Sequence, residues 1–507
     1  MVRDDPNAPF TSHEQALARA DQGVAEQAAT RLDRWYPTFH VTSPGGWIND
    51  PNGLCHYNGR WHAFFQLHPF GTQWGPMHWG HASSADLAHW RPEPVALAPS
   101  LEAERAGVYS GSALTGPDGL LYAFYTAHRW RNGVNEDDGN LEVQCLATSA
   151  DGIRFEKRGV VVGNPEGLRD FRDPKVWRQG DAWLMVVGRR SPDGRGEIVL
   201  HRSEDLLSWR PAGVLYRHPD PSVYMLECPD FFELEAPDGA RRWVLCFSAM
   251  GARPSGYRFR NFNNAGYLVG TWRPGGPFVP EGDFRPLDWG QNFYAPQTLE
   301  APDGRRILMG WMSPNGGALP TQDDGWCGQL TVPRELALGA DGALRCAPAR
   351  ELEALWGPAS ELGALELAAN EELVVAGDLA VGCVDVTLDL GASTAERCGL
   401  KVHATADGGF TYVGYDDQTR RVALDRLAAR AGERGYRAAP VAESQLAGGE
   451  LTLRVLLDRG SVEVFVGDGA QMLSAYSLPG PGPRALALVA EGGTLRASRL
   501  AVRRPRG

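Results

Sequence analysis

The stretch Gly53–Leu67, GLCHYNGRWHAFFQL, decides the fold of this chain. Asn58 and Gly59 lie between two runs that are rich in apolar and aromatic residues. An Asn-Gly pair favours a tight β-hairpin turn, because glycine readily adopts the positive φ angle that such a turn requires. The stretch therefore predicts two antiparallel strands joined by a short turn.

The same hairpin pattern recurs along the chain. The further copies are Ser112–Ala127, Lys175–Arg189, Phe231–Ala249 and Gln297–Met312. The residues that open the second strands are Trp61, Leu121, Trp183, Trp243 and Ile307, at intervals of 60, 62, 60 and 64 residues. Five units of nearly equal length predict a five-bladed β-propeller, in which short sheets repeat around a central channel. Blade turns and aromatic blade faces then account for much of the 61 Gly, 36 Pro and 16 Trp.

Two other regions flank the repeat, and the fold is predicted to be all-β apart from one short helix. Ser12 and Gln15 form a capping-box pattern for a helix that runs to Trp35, before Pro37. After residue 333, short alternating strands predict an antiparallel β-sandwich. We therefore expect an N-terminal helical extension at 1–36, a catalytic propeller at 37–333, a connector at 334–360 and a sandwich at 361–507.

Composition excludes several classes of function. A net charge of −12 argues against a nucleic-acid partner, which needs a basic face. The sequence contains no run of about 18 apolar residues for a membrane span, and residues 1–40 show no secretory signal, so we expect a cytoplasmic protein without a membrane partner. The eight cysteines form no CxxC pair and are predicted to be buried thiols. His78 and His81 lack a third ligand in a recognisable pattern, so no metal site is predicted.

Three acidic residues occupy equivalent places in the repeat. In a propeller the first strand of every blade lines the channel, so the segments that open these strands converge on the axis. The opening segments are WINDP at 47–51, YSGS at 109–112, FRDP at 171–174, LECP at 226–229 and FYAP at 293–296. They place Asp50, Asp173 and Glu227 at one pocket. An Asp before Pro is often only a turn residue, but three converging acids repel one another and cost stability unless some chemistry uses them.

Carboxylates of unequal pKa beside aromatic residues suit the cleavage of a glycosidic bond. One acid protonates the leaving oxygen, and another attacks the anomeric carbon or activates water. Trp47, Trp74 and Trp311 offer faces for sugar rings, although they also fit a blade core. A non-catalytic sugar-binding propeller is the alternative from another class, but such a module has little use for three acids together.

These segments resemble the signature blocks of glycoside hydrolase family 32, the β-fructofuranosidases. The matching blocks are WINDPNG at 47–53, FRDPK at 171–175 and ECPDF at 227–231, in the same order and spacing. Supporting blocks include DWGQNFYAPQ at 288–297 and LDRGSVEVFV at 457–466, so the resemblance covers nearly the whole chain. It implies a propeller followed by a sandwich, and hydrolysis without a cofactor.

The resemblance also implies a role for each acid. It makes Asp50 the nucleophile, Glu227 the general acid/base, and Asp173 the residue that stabilises the oxocarbenium-like transition state through the fructose hydroxyls. The predicted substrate-binding residues are Trp47, Asn49, Gln66, Trp74, Tyr109, Ser110, Arg172, Tyr294 and Trp311.

The function predicted from the sequence is that of a retaining β-fructofuranosidase. Its small-molecule substrates would be sucrose and short fructooligosaccharides, cleaved at terminal β-D-fructofuranosyl units. The N-terminal helix resembles that of intracellular bacterial sucrases and sucrose-6-phosphate hydrolases, so a phosphorylated substrate stays open. Fructosyl transfer also stays open, because it shares the covalent intermediate, and the sequence does not indicate an oligomeric state.

Overall fold

In the computed structural model, which describes residues 12–506, the sequence repeat forms five antiparallel sheets, here called blades 1 to 5. Blade 1 contains Gly46–Tyr57, Arg60–His68, His78–Ser84 and Trp90–Leu97. Blade 2 contains Gly107–Thr115, Leu121–Trp130, Asn140–Ser149 and Glu156–Val162. Blade 3 contains Phe171–Gln179, Ala182–Arg190, Gly196–Ser203 and Arg210–Arg217. Blade 4 contains Met225–Glu235, Arg241–Met250, Ala265–Thr271, Val279–Pro280 and Arg285–Pro286.

Blade 5 extends further along the chain than the sequence predicted. Its strands are Tyr294–Glu300, Arg306–Trp311, Arg334–Leu338 and Leu344–Pro348. The two outer strands lie in the segment expected to be a connector. Arg334–Leu338 pairs with Arg306–Trp311 on one side and with Leu344–Pro348 on the other, and this completes the sheet. We therefore propose Pro348, rather than residue 333, as the end of the propeller unit.

The five first strands form a ring. Each of them contacts the first strands of the two neighbouring blades. A short strand, Trp326–Cys327, follows the second strand of blade 5 and pairs in parallel with the first strand of blade 1. At the axis, the side chain of Gln297 accepts from the Leu54 N–H at 3.1 Å and donates to the Gly111 carbonyl at 2.9 Å. These contacts join blade 5 to blades 1 and 2.

The N-terminal helix spans His13–Thr30 and begins with the predicted capping box between Ser12 and Gln15. It ends earlier than the predicted Trp35. The reason is that the Leu32 N–H donates to the Asp324 carbonyl at 2.9 Å and the Arg31 guanidinium donates to the Pro44 carbonyl, so the chain leaves the helix to dock on the propeller. Residues 1–11 of the predicted extension, and Gly507 of the predicted sandwich, lie outside the described residues.

Two six-stranded antiparallel sheets form the C-terminal sandwich. In spatial order, one sheet contains Ser360–Leu367, Leu495–Arg503, Gly382–Asp389, Glu450–Asp458, Ser461–Val466 and Gln471–Tyr476. The other contains Glu372–Ala376, Ala485–Glu491, Arg397–Ala404, Thr411–Asp416, Arg421–Asp425 and Tyr436–Pro440. Alternating aliphatic residues from both sheets fill the space between them. Short helical turns lie at Glu102–Glu104, Glu136–Asp138, Pro320–Gln322, Arg350–Leu355 and Glu443–Gly448.

The predicted all-β fold, a propeller followed by a sandwich with a short N-terminal helix, is confirmed. Within residues 12–506, no helix is long and apolar enough to cross a membrane.

The propeller and the sandwich meet through buried charged groups. Arg334 of blade 5 donates to Asp288 at 3.0 Å, to Glu463 and to Ser474 at 2.6 Å. His40 lies between Asp458 and Glu463, with its two ring nitrogens 2.8 Å from their carboxylate oxygens. Buried ions of this kind are tolerated only when they are paired and hydrogen-bonded, so these contacts specify how the two parts dock.

Candidate active site

Every blade carries a β-bulge near the start of its first strand. In each case the pairing with the second strand shifts register over one or two residues: Asn49 and Asp50, Ser110, Asp173 and Pro174, Cys228 and Pro229, and Ala295 and Pro296. A bulge leaves residues outside the ladder and re-aims their side chains. The predicted opening segments are therefore the points at which the inner strands break regular pairing around the axis.

The backbone is strained at three of these bulges. Asp173, Cys228 and Ala295 have φ angles of 69°, 47° and 48°, and each of them precedes a proline. A residue before proline normally adopts extended backbone, and a non-glycine residue with positive φ is uncommon. Such conformations persist only where the surrounding structure enforces them, and they cluster at functional sites.

Three donors orient the carboxylate of Asp50. The Ser110 hydroxyl donates to Oδ2 at 2.6 Å, the Asn49 amide donates to Oδ1 at 3.1 Å, and the Cys228 thiol lies 3.4 Å from Oδ2. Gln66 in turn donates to the Ser110 hydroxyl at 2.9 Å. Residues from blades 1, 2 and 4 thus hold one carboxylate in place.

Asp173 is buried beside the other two acids. Its Oδ2 accepts from the Cys228 N–H at 2.8 Å and lies 3.6 Å from the Cys228 thiol. Burial raises the pKa of Asp173 to about 8; the Arg172 charge opposes this rise, and the charges of Glu227 and Asp50 add to it. The surroundings of Asp173 therefore favour its protonated form more than those of an ordinary aspartate.

Glu227 is held by one cation and one phenol. Arg172 donates to its Oε1 from Nη2 at 2.8 Å and from Nε at 3.1 Å, and the Tyr294 hydroxyl donates to Oε2 at 2.5 Å. Burial and the neighbouring Glu227 raise the pKa of Tyr294 well above its usual value, so the phenol stays protonated. Both oxygens of Glu227 are fixed by residues that the sequence predicted to bind substrate.

The Cys228 thiol touches Asp50 and Asp173 but is not suited to act as a nucleophile. Burial and the charges of Asp173 and Asp50 raise the pKa of this thiol well above its ordinary value. A protonated thiol is a weak nucleophile. The thiol instead contacts Asp50 and Asp173, while the Cys228 backbone directly follows Glu227.

The predicted sugar-facing aromatic residues differ in how far they are buried. Trp47 and Trp311 are buried and meet edge to face, with ring centroids 5.7 Å apart. The Trp47 indole donates to Asn49 at 2.9 Å, whereas the Trp311 indole N–H has no hydrogen-bond partner among residues 12–506. Trp74 is 51% exposed and contacts the edge of Tyr109, with centroids 6.2 Å apart. These residues remain predicted sugar contacts.

Some site residues were not predicted from the sequence, because they lie outside the opening segments. Glu142, in the third strand of blade 2, contacts Arg172 and accepts from the Phe171 N–H at 2.6 Å. His128 and Asp170 contact Glu142 and Arg172, respectively. A lone acid in the apolar strand 141–147 (LEVQCLA) was the available signal for Glu142.

The two histidines considered as metal ligands have other partners. His78 lies 3.0 Å from the Pro76 carbonyl, and His81 lies 2.9 Å from His62. Burial lowers the pKa of both imidazoles. Among residues 12–506, no group of three or more His, Cys, Asp or Glu side chains is arranged to hold a metal ion.

Comparison with known proteins agrees with this geometry. The family model "Glycosyl hydrolases family 32 N-terminal domain" matches residues 40–348, and "Glycosyl hydrolases family 32 C terminal" matches residues 351–504. The chain belongs to glycoside hydrolase family 32. It is therefore a glycosidase that acts on a sugar, and the alternative of a non-catalytic sugar-binding propeller is not supported.

Relatives within family 32 match over almost their entire length. The chain is 44% identical to the raffinose invertase of Escherichia coli over 482 residues, covering 94% of this chain and 97% of the relative. It is 41% identical to a sucrose-6-phosphate hydrolase of Escherichia coli over 477 residues, covering 94% and 96%. Among solved structures, the Bombyx mori GH32 beta-fructofuranosidase BmSUC1 is 31% identical, with a TM-score of 0.82 and coverage of 97% and 99%.

Proposed function

We propose that the protein is a retaining β-fructofuranosidase in which Asp50 is the nucleophile, Glu227 the general acid/base and Asp173 the transition-state stabiliser. The observation that carries this proposal is the convergence of the three acids: the Cys228 thiol contacts Asp50 and Asp173, and Arg172, the neighbour of Asp173, holds Glu227. Their origin in three different blades is what the strand openings predicted.

In the first step, an oxygen of Asp50 attacks the anomeric carbon of the fructosyl unit while Glu227 gives its proton to the leaving oxygen. In the second step, Glu227 takes a proton from the attacking water, and the bond between Asp50 and the fructosyl carbon breaks. A protonated Asp173 is able to donate one hydrogen bond to a fructose hydroxyl and to accept another. Donors on both oxygens of Glu227 keep it aimed at one place during the two proton transfers.

The charge pairing in the site favours neutral fructosides as substrates. The relatives are named raffinose invertase and sucrose-6-phosphate hydrolase, and we propose sucrose and short fructooligosaccharides for this chain. Arg172 is already paired with Glu142, Asp170 and Glu227, and Arg190 is paired with Asp170. Because carboxylates neutralise these cations, they are poor candidates for binding a phosphate group.

Sucrose 6-phosphate is the competing substrate, because several relatives carry that name. The test is a comparison of kcat/KM for sucrose, sucrose 6-phosphate, kestose and inulin. We expect the highest value for sucrose or kestose; a clear preference for sucrose 6-phosphate would replace the proposed substrate. No turnover of any fructoside would remove the proposed function.

Product analysis separates hydrolysis from transfer and tests the stereochemistry. Equal amounts of glucose and fructose from sucrose indicate hydrolysis, whereas glucose with kestose-type products indicates fructosyl transfer. NMR of the first-formed fructose should show the β-anomer, and an initial α-anomer would exclude the retaining mechanism.

We further propose that the enzyme works in the cytoplasm. All eight cysteines are buried free thiols, which is the usual state in a reducing compartment. Fractionation of the native host, with activity measured on sucrose, tests this placement.

A further inference from the structure

Glu142 connects to the catalytic machinery although it lies away from the five bulges. It is fully buried in the third strand of blade 2. Its Oε2 accepts from the Phe171 N–H at 2.6 Å, and its two oxygens lie 3.4 and 3.3 Å from Nη1 of Arg172. One carboxylate therefore holds both the backbone and the side chain of the segment that leads into Asp173.

Arg172 stands between Glu142 and Glu227. Its Nη1 faces Glu142 and Asp170, while its Nη2 and Nε face Glu227. The charged groups that face Arg172 are Glu142, Glu227, Asp170 and Asp173. The titratable groups that interact with Glu227 are Arg172, Asp173, Tyr109, Tyr224, Cys228 and Tyr294. Glu227 thus shares the cation of Arg172 with other carboxylates.

Glu142 is held as an anion in a fixed position. Burial opposes its ionisation, but the charge of Arg172 and the hydrogen bond from His128 lower the pKa of Glu142 to about 2. His128 Nδ1 lies 3.0 Å from Oε1, and the Asn140 amide donates to the same oxygen at 3.1 Å. The imidazole itself is stacked on Tyr109, with ring centroids 4.0 Å apart. At neutral pH, Glu142 therefore presents its negative charge to Arg172.

We propose that Glu142 is a positioning residue that limits how strongly Arg172 acts on Glu227, and so sets the pH range over which Glu227 serves as the acid. This inference rests on the proposed role of Glu227. Without the charge of Glu142, the positive charge of Arg172 is less compensated, and it favours the ionised form of Glu227 more strongly. Loss of the bond to the Phe171 N–H also loosens the segment that places Arg172 and Asp173.

The test is the pH dependence of kcat/KM on sucrose for Glu142→Gln. We expect the basic limb of the profile to move to lower pH by about one unit. Asp173 also faces Arg172, so its ionisation moves in the same direction. We expect kcat to fall by about tenfold or more, with a smaller change in KM, because small displacements of catalytic groups act on the chemical step. In Glu142→Asp, which keeps the charge, the limb should stay near its wild-type position although kcat falls.

Glu197→Gln is the matched control. Glu197 is likewise a fully buried acid in the third strand of a blade, but it pairs with Arg189 and Arg217, outside the catalytic group. Its pH profile should match that of the wild type. If Glu142→Gln does not fold, His128→Gln loosens the same carboxylate and should give a lower kcat with a smaller shift of the limb.

The outcomes separate this inference from the proposed function. A wild-type enzyme that does not cleave fructosides would remove the proposed function itself. A wild-type enzyme that is active, together with an unshifted limb in folded Glu142→Gln or a wild-type profile in His128→Gln, would overturn only the role of Glu142. An equal shift in Glu197→Gln would also overturn it, by showing that any buried acid of the propeller has this effect.

Discussion

At the scale of single residues, Asp50 offers the most direct test. Its carboxylate receives hydrogen bonds from Ser110 and Asn49, and the isosteric amide of Asp50→Asn fits the same space. Because an amide cannot form the covalent intermediate, we expect kcat on sucrose to fall by at least about 10⁴-fold with little change in melting temperature. Asp118→Asn, at an exposed hairpin turn of blade 2, is the control and should keep full activity. Substantial residual activity in Asp50→Asn would remove this residue from the nucleophile role.

The raised pKa of Asp173 predicts that the stability of the folded protein depends on pH. Its pKa of about 8 lies above the ordinary value of 3.8, so its contribution to folding is fully present below about pH 4 and is lost as the pH rises through 8. An amide at this position stays neutral. The melting temperature of Asp173→Asn, relative to the wild type, should therefore increase between pH 5 and pH 9. A difference that stays constant across this range would show that Asp173 does not gain a proton on folding.

The acids and most of their partners could be predicted from the sequence, but Glu142 could not. Asp50, Asp173 and Glu227 occupy equivalent positions in the repeat, so the sequence alone predicts that they converge on the axis. Glu142 shares its pattern, a lone acid in a buried third strand, with Glu197. Glu142 contacts the FRDP segment of the next blade, whereas Glu197 pairs with Arg189 and Arg217 of its own blade, and the sequence pattern does not distinguish the two.

At the scale of elements, the turns between the third and fourth strands of blades 1 to 3 are built in the same way. Ser84 and Asp86, Ser149 and Asp151, and Ser203 and Asp205 form matching sets of side-chain to backbone hydrogen bonds. The chain repeats a Ser-x-Asp pattern at these three turns, so their shared structure can be predicted from the sequence. The ends of the elements were predicted less accurately from the sequence. The helix ends at Thr30 because residues distant in sequence form hydrogen bonds with the chain that follows it.

One of these turns gives a test of local stability. Asp86 accepts from the Ala88 and His89 N–H groups, and these bonds, against the opposing effect of burial, lower its pKa to about 2. Asp86→Ala should destabilise the protein by about 1 kcal/mol at pH 7. Because the pKa is depressed, the stabilisation is present above about pH 4 and is lost as the pH falls toward 2, so the two proteins should converge in acid.

The measurement is thermal unfolding of wild type and Asp86→Ala at pH 7 and pH 3. Glu235→Ala, an exposed acid of blade 4, is the control and should unfold like the wild type at both pH values. Identical unfolding of Asp86→Ala and wild type at pH 7 would show that the turn does not depend on this carboxylate.

At the scale of the whole molecule, buried charged groups join the propeller to the sandwich. Burial opposes the protonation of His40, but hydrogen bonds to Asp458 and Glu463 outweigh it and raise the pKa of His40 to about 9. His40 is therefore a cation between two carboxylates of the sandwich at neutral pH. Sequence composition could not reveal this arrangement, because the partners are more than four hundred residues apart along the chain.

His40→Gln should weaken the junction in a pH-dependent way. Removing one partner of a buried ionic group typically costs about 3–5 kcal/mol, and here the loss should be largest below pH 6.5. Because the folded pKa is raised, the contribution of His40 is lost as the pH rises through 9, so the variant should approach the wild type at pH 10. His89→Gln, which removes an exposed ion pair, is the control. An equal loss of melting temperature at pH 6 and pH 10 would contradict a charged His40.

The parallel pairing of Trp326–Cys327 with the first strand of blade 1 has a consequence for synthesis on the ribosome. The strand that carries Asp50 is made early, but its parallel neighbour is made only after the second strand of blade 5. A nascent chain that ends before residue 326 therefore leaves Gly46 and Trp47, in the strand that carries Asp50, without their parallel partners. The residue proposed to attack the sugar lies early in the chain, but one edge of its strand is completed only late in synthesis.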